Sequence, residues 1–179
     1  MMVELIIDKY YPRKKKARNI LETHSLMVME RALKIASEHP ELEADEILLR
    51  EGCMLHDIGI VETYAPEIHC FGEHPYIRHG VIGGQILRGH GLLRLANICE
   101  HHTGSGLSAE EIKLQNLPLP HVDMLPESIE EKIICFADKF YSKGNNLTKE
   151  KSLDKVRKGM ARYGEQQLKR FNEMCEMFL

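Results

Sequence analysis

Apolar residues recur along most of the chain with the spacing of helices rather than strands. Between residues 20 and 38, His24, Val28, Ala32 and Ile35 fall on one face of a helix. No stretch alternates apolar and polar residues as a half-buried strand would. The pattern therefore predicts an all-α fold in which His24 belongs to an apolar face.

Capping residues and glycines mark the boundary of a second helix. This helix is expected to begin near Asp45 and to end at His56, where Gly59 offers a left-handed stop. Consecutive helical residues project about 100° apart, so the doublet His56-Asp57 can reach one centre most easily where the helix ends.

The later part of the chain is also helical, with one long loop. Helical periodicity is found over residues 79–89, 92–102, 128–140 and 149–177. The pair Gly83-Gly84 indicates the close approach of another helix. Three prolines within residues 117–126 predict a loop, and Ser128 with Glu131 has the form of a capping box.

Composition excludes several classes of protein. The chain has 179 residues, 43% of them apolar, and a net charge of −3, which is ordinary for a folded domain and not for a disordered one. No apolar run approaches the roughly 18 residues of a membrane span, so we expect neither a transmembrane nor a signal segment. Five cysteines without a CxxC pair indicate neither a disulfide framework nor a thiolate zinc site. A cytoplasmic location is expected.

Candidate chemistry lies in the ten histidines. Almost every inward-facing helix carries a histidine or aspartate on or near its apolar face, and each would cost roughly 1–3 kcal/mol to bury without a partner. A shared cation would supply that partner for all of them. The set comprises His24, His56, Asp57, His79, His101, His102 and Asp138.

The set is large enough for one or two divalent transition-metal ions. Imidazole and carboxylate ligands suit Fe, Mn, Zn or Ni. Four ligands to one ion could come from His24, His56, Asp57 and Asp138. His79 and His102 would be surplus, and a second ion bridged to the first by Asp57 would use them. Paired ions of this kind activate water near neutral pH and hold phosphoryl oxygens.

The ordered pattern H…HD…H…HH…D, with the string His56-Asp57-Ile58-Gly59, resembles the HD superfamily of metal-dependent phosphohydrolases, specifically its small HDIG-type members. The resemblance implies an HD-domain helical bundle over residues 20–143. Residues 1–19 would form an N-terminal helical extension, and residues 144–179 a C-terminal helix packing on the domain.

Further strings refine the resemblance. Arg78-His79-Gly80 and residues 100–104 are similar to those of symmetrical dinucleoside-tetraphosphate hydrolases and cyclic-dinucleotide phosphodiesterases, which have dinuclear centres. The cyclic-di-GMP branch usually has Lys where this chain has Ile60, followed by a GYP element that is missing here, so that substrate is disfavoured.

The resemblance implies a role for each matching position. The first metal would bind His24, His56, Asp57 and Asp138, and the second would bind Asp57, His79 and His102. His101 is carried as an additional metal ligand, because family members with a double histidine can use both. Other members have only one, and Leu95, Cys99 and His102 share a helix face better than His101 does. Lys139, next to Asp138, is either a solvated helix residue or a clamp on substrate phosphate. Asp57 and Lys139 are the candidate catalytic residues. Arg78 and Lys139 are the candidate substrate-binding residues.

The expected function is hydrolysis of a phosphate ester or anhydride bond in a nucleotide or related small phosphate. Two alternatives stay open: a non-catalytic metal- and nucleotide-binding sensor, and a mononuclear nucleotidase in which His79 and His102 contact substrate phosphate. Neither nucleic acid nor membrane is an expected partner, because the basic run over residues 13–18 indicates a solvated helix start. The amphipathic tail would pack on the domain or on a second copy, which leaves a homodimer open.

Overall fold

The computed structural model describes residues 2–12, 15–144 and 146–179. Within these ranges the chain forms nine α-helices, with short 3₁₀ turns and a two-stranded antiparallel ribbon between them. The helices are α1 (Met2–Tyr10), α2 (Lys16–Glu38), α3 (Glu46–Leu55), α4 (His79–Gly89), α5 (Leu93–His101), α6 (Ala109–Leu114), α7 (Ile129–Asp138), α8 (Leu153–Tyr163) and α9 (Glu165–Phe178). The predicted all-α class is confirmed.

The ribbon was not predicted. Strands β1 (Tyr64–Ala65) and β2 (Cys70–Phe71) have two residues each, too few to show an alternating pattern. Of the basic run at residues 13–18, Arg13 and Lys14 lie outside the described residues, and α2 begins at Lys16. Among the described helices, none combines the length and apolar character required to cross a membrane.

Helix α7 lies at the centre of the bundle. Five consecutive residues, Ile133 to Ala137, have no exposed surface, so this helix is enclosed on all sides. Helix α2 packs on both α3 and α7, and buries Val28, Ala32 and Ile35 as its periodicity predicted. Helix α4 packs on α5. The inward residues of these helices therefore converge on one interior.

The HDIG glycine acts through close packing and not as a left-handed stop. Gly59 is absent from the residues with positive φ, so that prediction was wrong. A Cβ atom there would lie 2.2 Å from the His79 carbonyl oxygen and 2.3 Å from Gly83 N. The turn after Asp57 is thus pressed against the start of α4. The predicted close approach at Gly83-Gly84 is confirmed, since Cβ atoms there would meet Cys99 and Glu100 of α5.

The C-terminal segment contains two helices where the periodicity over residues 149–177 predicted one. Gly164 separates α8 from α9 and adopts φ +128°, a conformation that L residues rarely adopt. Helix α9 packs on α7 through the stacked rings of Phe171 and Phe136, whose centroids are 5.3 Å apart. Through this contact the segment lies against α7.

Helix α9 also fixes the turn that follows α5. Gln167, 1% exposed, donates to the Gly106 carbonyl oxygen at 2.6 Å and accepts from Ser105 N at 2.7 Å. Arg170 Nη2 donates to both carboxylate oxygens of Glu111, at 2.8 and 2.7 Å. Glu111 in turn completes a capping box at the start of α6. The loop beyond His102 is therefore held by side chains from a distant part of the sequence.

Candidate metal centre

Five elements bring polar side chains to one buried point, mostly from helix ends. Helix ends suit a shared centre because consecutive side chains in a helix project about 100° apart, and this constraint is relaxed where the helix ends. The residues are His24 within α2, His56 and Asp57 just after α3, His79 at the start of α4, His102 just after α5, and Asp138 at the end of α7. All six are buried.

The first ligand group consists of His24, His56, Asp57 and Asp138, whose ligand atoms all lie within 4.8 Å of one another. His24 Nε2 is 2.9 Å from Asp138 Oδ1 and 3.4 Å from Asp57 Oδ2. His56 Nε2 is 3.1 Å from the same Asp57 oxygen. Two imidazoles and two carboxylates thus surround a space of the size that one ion needs.

The second ligand group consists of Asp57, His79 and His102. Asp57 Oδ1 lies 3.6 Å from His79 Nε2 and 3.3 Å from His102 Nε2, and the two ring nitrogens are 3.1 Å apart. Asp57 therefore directs Oδ2 to the first group and Oδ1 to the second, as a bridging carboxylate would.

The histidine rings are oriented for ligation through Nε2. His56, His79 and His102 each place Nδ1 2.7 to 2.8 Å from the backbone carbonyl oxygen three residues earlier. A carbonyl only accepts, so Nδ1 carries a proton, and Nε2 is the nitrogen that faces the cluster and offers its lone pair when the ring is neutral. His24 differs, because its buried Nδ1 has no hydrogen-bond partner among the described residues.

Electrostatics keep the two carboxylates ionised. Burial alone would raise the pKa of Asp57, but the charges of His56 and Lys143 outweigh burial and hold it well below its usual value. Lys139 and Lys143 lower the pKa of Asp138 in the same way.

The histidines differ in charge state. Burial is the largest cause that lowers the pKa of His24 to about 4 and that of His79 to about 3, so both are neutral at pH 7. Burial also acts to lower the pKa of His56, but Asp57 and Asp138 overcome it and raise the value to about 9. Metal ligation requires neutral imidazole, so His56 is the ring that would have to release a proton.

The donor atoms fit a divalent transition metal. Both Asp57 oxygens and His56 Nε2 are buried and have no partner in hydrogen-bond geometry within the described structure. Lys143 offsets the charge at Asp57 Oδ2, 2.8 Å away, but Asp57 Oδ1 faces only ring nitrogens, and a buried carboxylate oxygen without a donor is costly unless a cation satisfies it. The donors are imidazole and carboxylate, and none of the five free cysteines belongs to either ligand group. This set suits Fe, Mn, Zn or Ni.

Two lysines lie beside the carboxylates. Lys139 Nζ is 2.6 Å from Asp138 Oδ2 and donates to the His102 carbonyl oxygen at 2.9 Å. Lys143 Nζ is 2.8 Å from Asp57 Oδ2 and 3.4 Å from Asp138 Oδ1. Lys143 was missed at the sequence level, because it lies beyond the helix predicted over residues 128–140.

Two predicted site residues lie elsewhere. His101 is not part of either ligand group. Its Nδ1 is 2.7 Å from Glu131 Oε2, which turns the ring away from the cluster. Arg78 does not line the cavity described next, and its buried Nε has no hydrogen-bond partner among the described residues.

A cavity of about 800 Å³ opens onto the cluster. His79, His102 and Asp138 form part of its wall, whereas His24 and His56 are not among the residues that line it. Tyr76 also lines the wall and stacks on the His79 ring, with centroids 4.8 Å apart. A molecule in the cavity would meet both histidines of the second ligand group and, from the first group, only Asp138.

The family match agrees with this geometry. The HD domain family model matches residues 21–142, more than half of the chain, and the chain belongs to this family. An uncharacterized protein of Methanocaldococcus jannaschii, MJ0778, is 40% identical over 125 residues, which are 68% of this chain and 66% of that protein.

Two further relatives are named tRNA (cytidine(56)-2′-O)-methyltransferase. The protein from Thermoplasma volcanium is 34% identical over 143 residues, covering 79% of this chain and 38% of the relative. The protein from Picrophilus torridus is 31% identical over 154 residues, covering 82% and 41%. The chain therefore spans less than half the length of either methyltransferase.

Among solved structures, the HD domain of the Listeria monocytogenes phosphodiesterase PgpH is similar, with a TM-score of 0.51 and 18% identity. The match covers 96% of this chain and 94% of that one. The same domain in complex with cyclic-di-AMP gives a TM-score of 0.52, also at 18% identity, with 97% and 93% coverage. At this identity the likeness shows the fold.

Proposed function

We propose that this chain is a metal-dependent phosphohydrolase with two divalent transition-metal ions, which cleaves a phosphate ester or anhydride bond of a nucleotide or related small phosphate. The observation that carries the proposal is the shared carboxylate of Asp57, with one oxygen toward each ligand group. Membership of the HD family and the fold of a phosphodiesterase domain support it. The two relatives named as methyltransferases are matched over only 38% and 41% of their length, so we do not propose methyltransferase activity for this chain.

The ligand groups assign the metals. The first ion would bind the two carboxylates with His24 and His56, and the second would bind Asp57 with His79 and His102. His101 is left out of the proposed set because of its contact with Glu131. When bound, such ions supply an activated water near neutral pH and neutralise phosphoryl oxygens.

The protein side chains position and stabilise the substrate. Lys139 and Lys143 bring two ammonium groups to the border between the ligand groups and the cavity. There they can stabilise the negative charge that develops on a phosphoryl group, in a site already shaped before substrate arrives. Tyr76 offers a ring face beside His79 against which a base could stack.

Metal content and hydrolysis of bis(p-nitrophenyl) phosphate test the proposal together. Wild type is expected to hold about two transition-metal ions per chain, and His79→Gln about one. Asp57→Asn should lose metal and lower turnover by at least about 100-fold, because it removes the ligand shared by both groups. His121→Gln, at an exposed loop position, is the matched control and should behave as wild type.

Other outcomes would contradict the proposal in different ways. One ion per chain in both wild type and His79→Gln would favour the mononuclear nucleotidase. Tight nucleotide binding without product over hours would favour the sensor. If no ion binds after reconstitution with Fe²⁺, Mn²⁺ or Zn²⁺, the ligand assignment is wrong.

A further inference from the structure

The cavity beside the metal centre has a basic wall. Asp138 is the only carboxylate among the described residues that line it. The chain as a whole has a net charge of −3, so this concentration of positive charge is local. The basic lining residues are Lys139, Lys143, Lys151, Lys155, Lys158 and Arg162.

Helix α8 contributes a row of three cations. Lys155, Lys158 and Arg162 are spaced i, i+3 and i+7, which places them on one face over about 10 Å. All three are exposed and form no ion pair with any described residue. Like charges at such spacings repel one another along a helix. An anion held between them would remove that repulsion.

The basic wall is continuous from the cluster to α8. Lys151 donates to the carbonyl oxygens of Lys139 and Tyr141, at 3.1 and 3.0 Å, and so lies between the two regions. Burial lowers the pKa of Lys151, and the nearby charges of Lys139, Lys143 and Lys155 lower it further, against the pull of Asp138. A ligand can therefore contact cations along the whole path.

Gly159 lies in the same wall, in the interior of α8. Glycine in a helix interior is unfavourable relative to alanine. Packing does not require it here, because a Cβ atom at Gly159 would meet nothing within 4 Å. The missing side chain leaves the helix backbone open to the cavity between the row of cations. Close approach of a ligand would explain the glycine.

We propose that α8 selects the substrate: Lys155, Lys158 and Arg162 bind phosphates remote from the one that reacts, so that the preferred substrate is a nucleotide with several phosphates. This inference rests on the proposed hydrolase function and adds the substrate class. A row of about 10 Å is longer than a single phosphate can contact. The cavity volume of about 800 Å³ is that of a small-molecule site, which favours a compact nucleotide over a polymer.

The inference is tested by measuring the affinity of the full chain, as purified and with no free metal added, for two probes. These are inorganic tripolyphosphate and orthophosphate. The triple variant Lys155→Gln/Lys158→Gln/Arg162→Gln should bind tripolyphosphate about 30-fold more weakly, from roughly threefold per lost charge contact. Orthophosphate affinity should fall by threefold at most. The dependence of tripolyphosphate affinity on salt should also become shallower.

The matched control removes three lysines that do not line the cavity, in Lys34→Gln/Lys113→Gln/Lys169→Gln. It should bind tripolyphosphate within twofold of wild type. Gly159→Ala keeps every charge and should fold at least as stably as wild type, yet bind tripolyphosphate several-fold more weakly. This variant separates a loss of binding from a loss of folding.

Failure of the inference differs from failure of the proposed function. Equal tripolyphosphate affinity in both triple variants, while wild type hydrolyses bis(p-nitrophenyl) phosphate, would overturn the role of α8 and leave the hydrolase in place. Charge-dependent binding without any hydrolysis would support the basic wall and overturn the hydrolase. A 5′-phosphorylated ribotrinucleotide bound more than tenfold more tightly than ATP would overturn the compact substrate.

Discussion

At the scale of single residues, Asp57 unites the two halves of the site. Its carboxylate is fully buried, and an uncompensated charge at such a position would be strongly destabilising. Lys143 lies 2.8 Å from Oδ2 and supplies a compensating charge in the described structure. A cation therefore already lies between Asp57 and Asp138 before any metal is considered.

We predict that metal binding at pH 7.5 releases about one proton per chain. His56, with a pKa raised to about 9, is protonated at that pH, whereas His24 and His79 are already neutral. Metal affinity should therefore rise with pH up to about 9. Calorimetry in buffers of different ionisation enthalpy measures the proton count. Binding at pH 7.5 without proton release would contradict the charge state assigned to His56.

The sequence predicted most of the ligand cluster, because ordered histidines and aspartates on apolar helix faces need a common partner. It favoured His102 over His101, because His102 shares a helix face with Leu95 and Cys99, but it did not exclude His101. Adjacent helical residues differ by about 100° in direction, and only the contact with Glu131 shows which of them turns away. Lys143 follows the end of α7, outside any helical pattern, so no periodicity placed it beside Asp57.

At the scale of elements, the ends of helices were harder to predict than their existence. The helical spacing of apolar residues over 149–177 continues through Gly164, so the sequence predicted a single helix. A glycine within a helical pattern does not by itself show a positive φ. Ser128 does cap α7 by accepting from Glu131 N at 3.2 Å. The Glu131 carboxylate instead accepts from Glu127 N and contacts His101, so the predicted capping box is only half formed.

We predict that Glu111→Gln loses about 1–3 kcal/mol of stability at pH 7, because it removes a charged partner of Arg170. Burial alone would raise the Glu111 pKa, but Arg170 and Ser108 lower it. A carboxylate with a depressed folded pKa stabilises above its unfolded value of about 4.3, and that stability is lost as pH falls through the folded pKa. The difference from wild type should therefore shrink below about pH 4.

Urea denaturation at pH 7 and at about pH 3.5 measures this effect. Glu110→Gln, at the exposed neighbouring position, is the control and should change stability by less than about 0.5 kcal/mol at either pH. A destabilisation of Glu111→Gln that is equally large at both pH values would mean that shape, not charge, is what α9 recognises at Glu111.

At the scale of the whole molecule, the fold combines a buried polar centre with a positive cavity in a chain of net negative charge. The HD domain match ends at residue 142, while α8 and α9 lie beyond it. Helix α8 nevertheless lines the same cavity as His79 and His102. We therefore expect the segment beyond the family match to contribute to the site, and relatives with different substrates to differ there.

Metal binding should stabilise the entire fold, because the ligands come from five helices or their ends. A ligand at 100 times its dissociation constant adds about 2.7 kcal/mol to the free energy of unfolding when it binds only the folded chain. For a chain of this size that corresponds to a rise in Tm of roughly 5–10 °C. Chelator-treated wild type and His121→Gln should show this rise on addition of Mn²⁺ or Fe²⁺, and Asp57→Asn should not. An equal rise in Asp57→Asn would locate the stabilising ion outside the cluster.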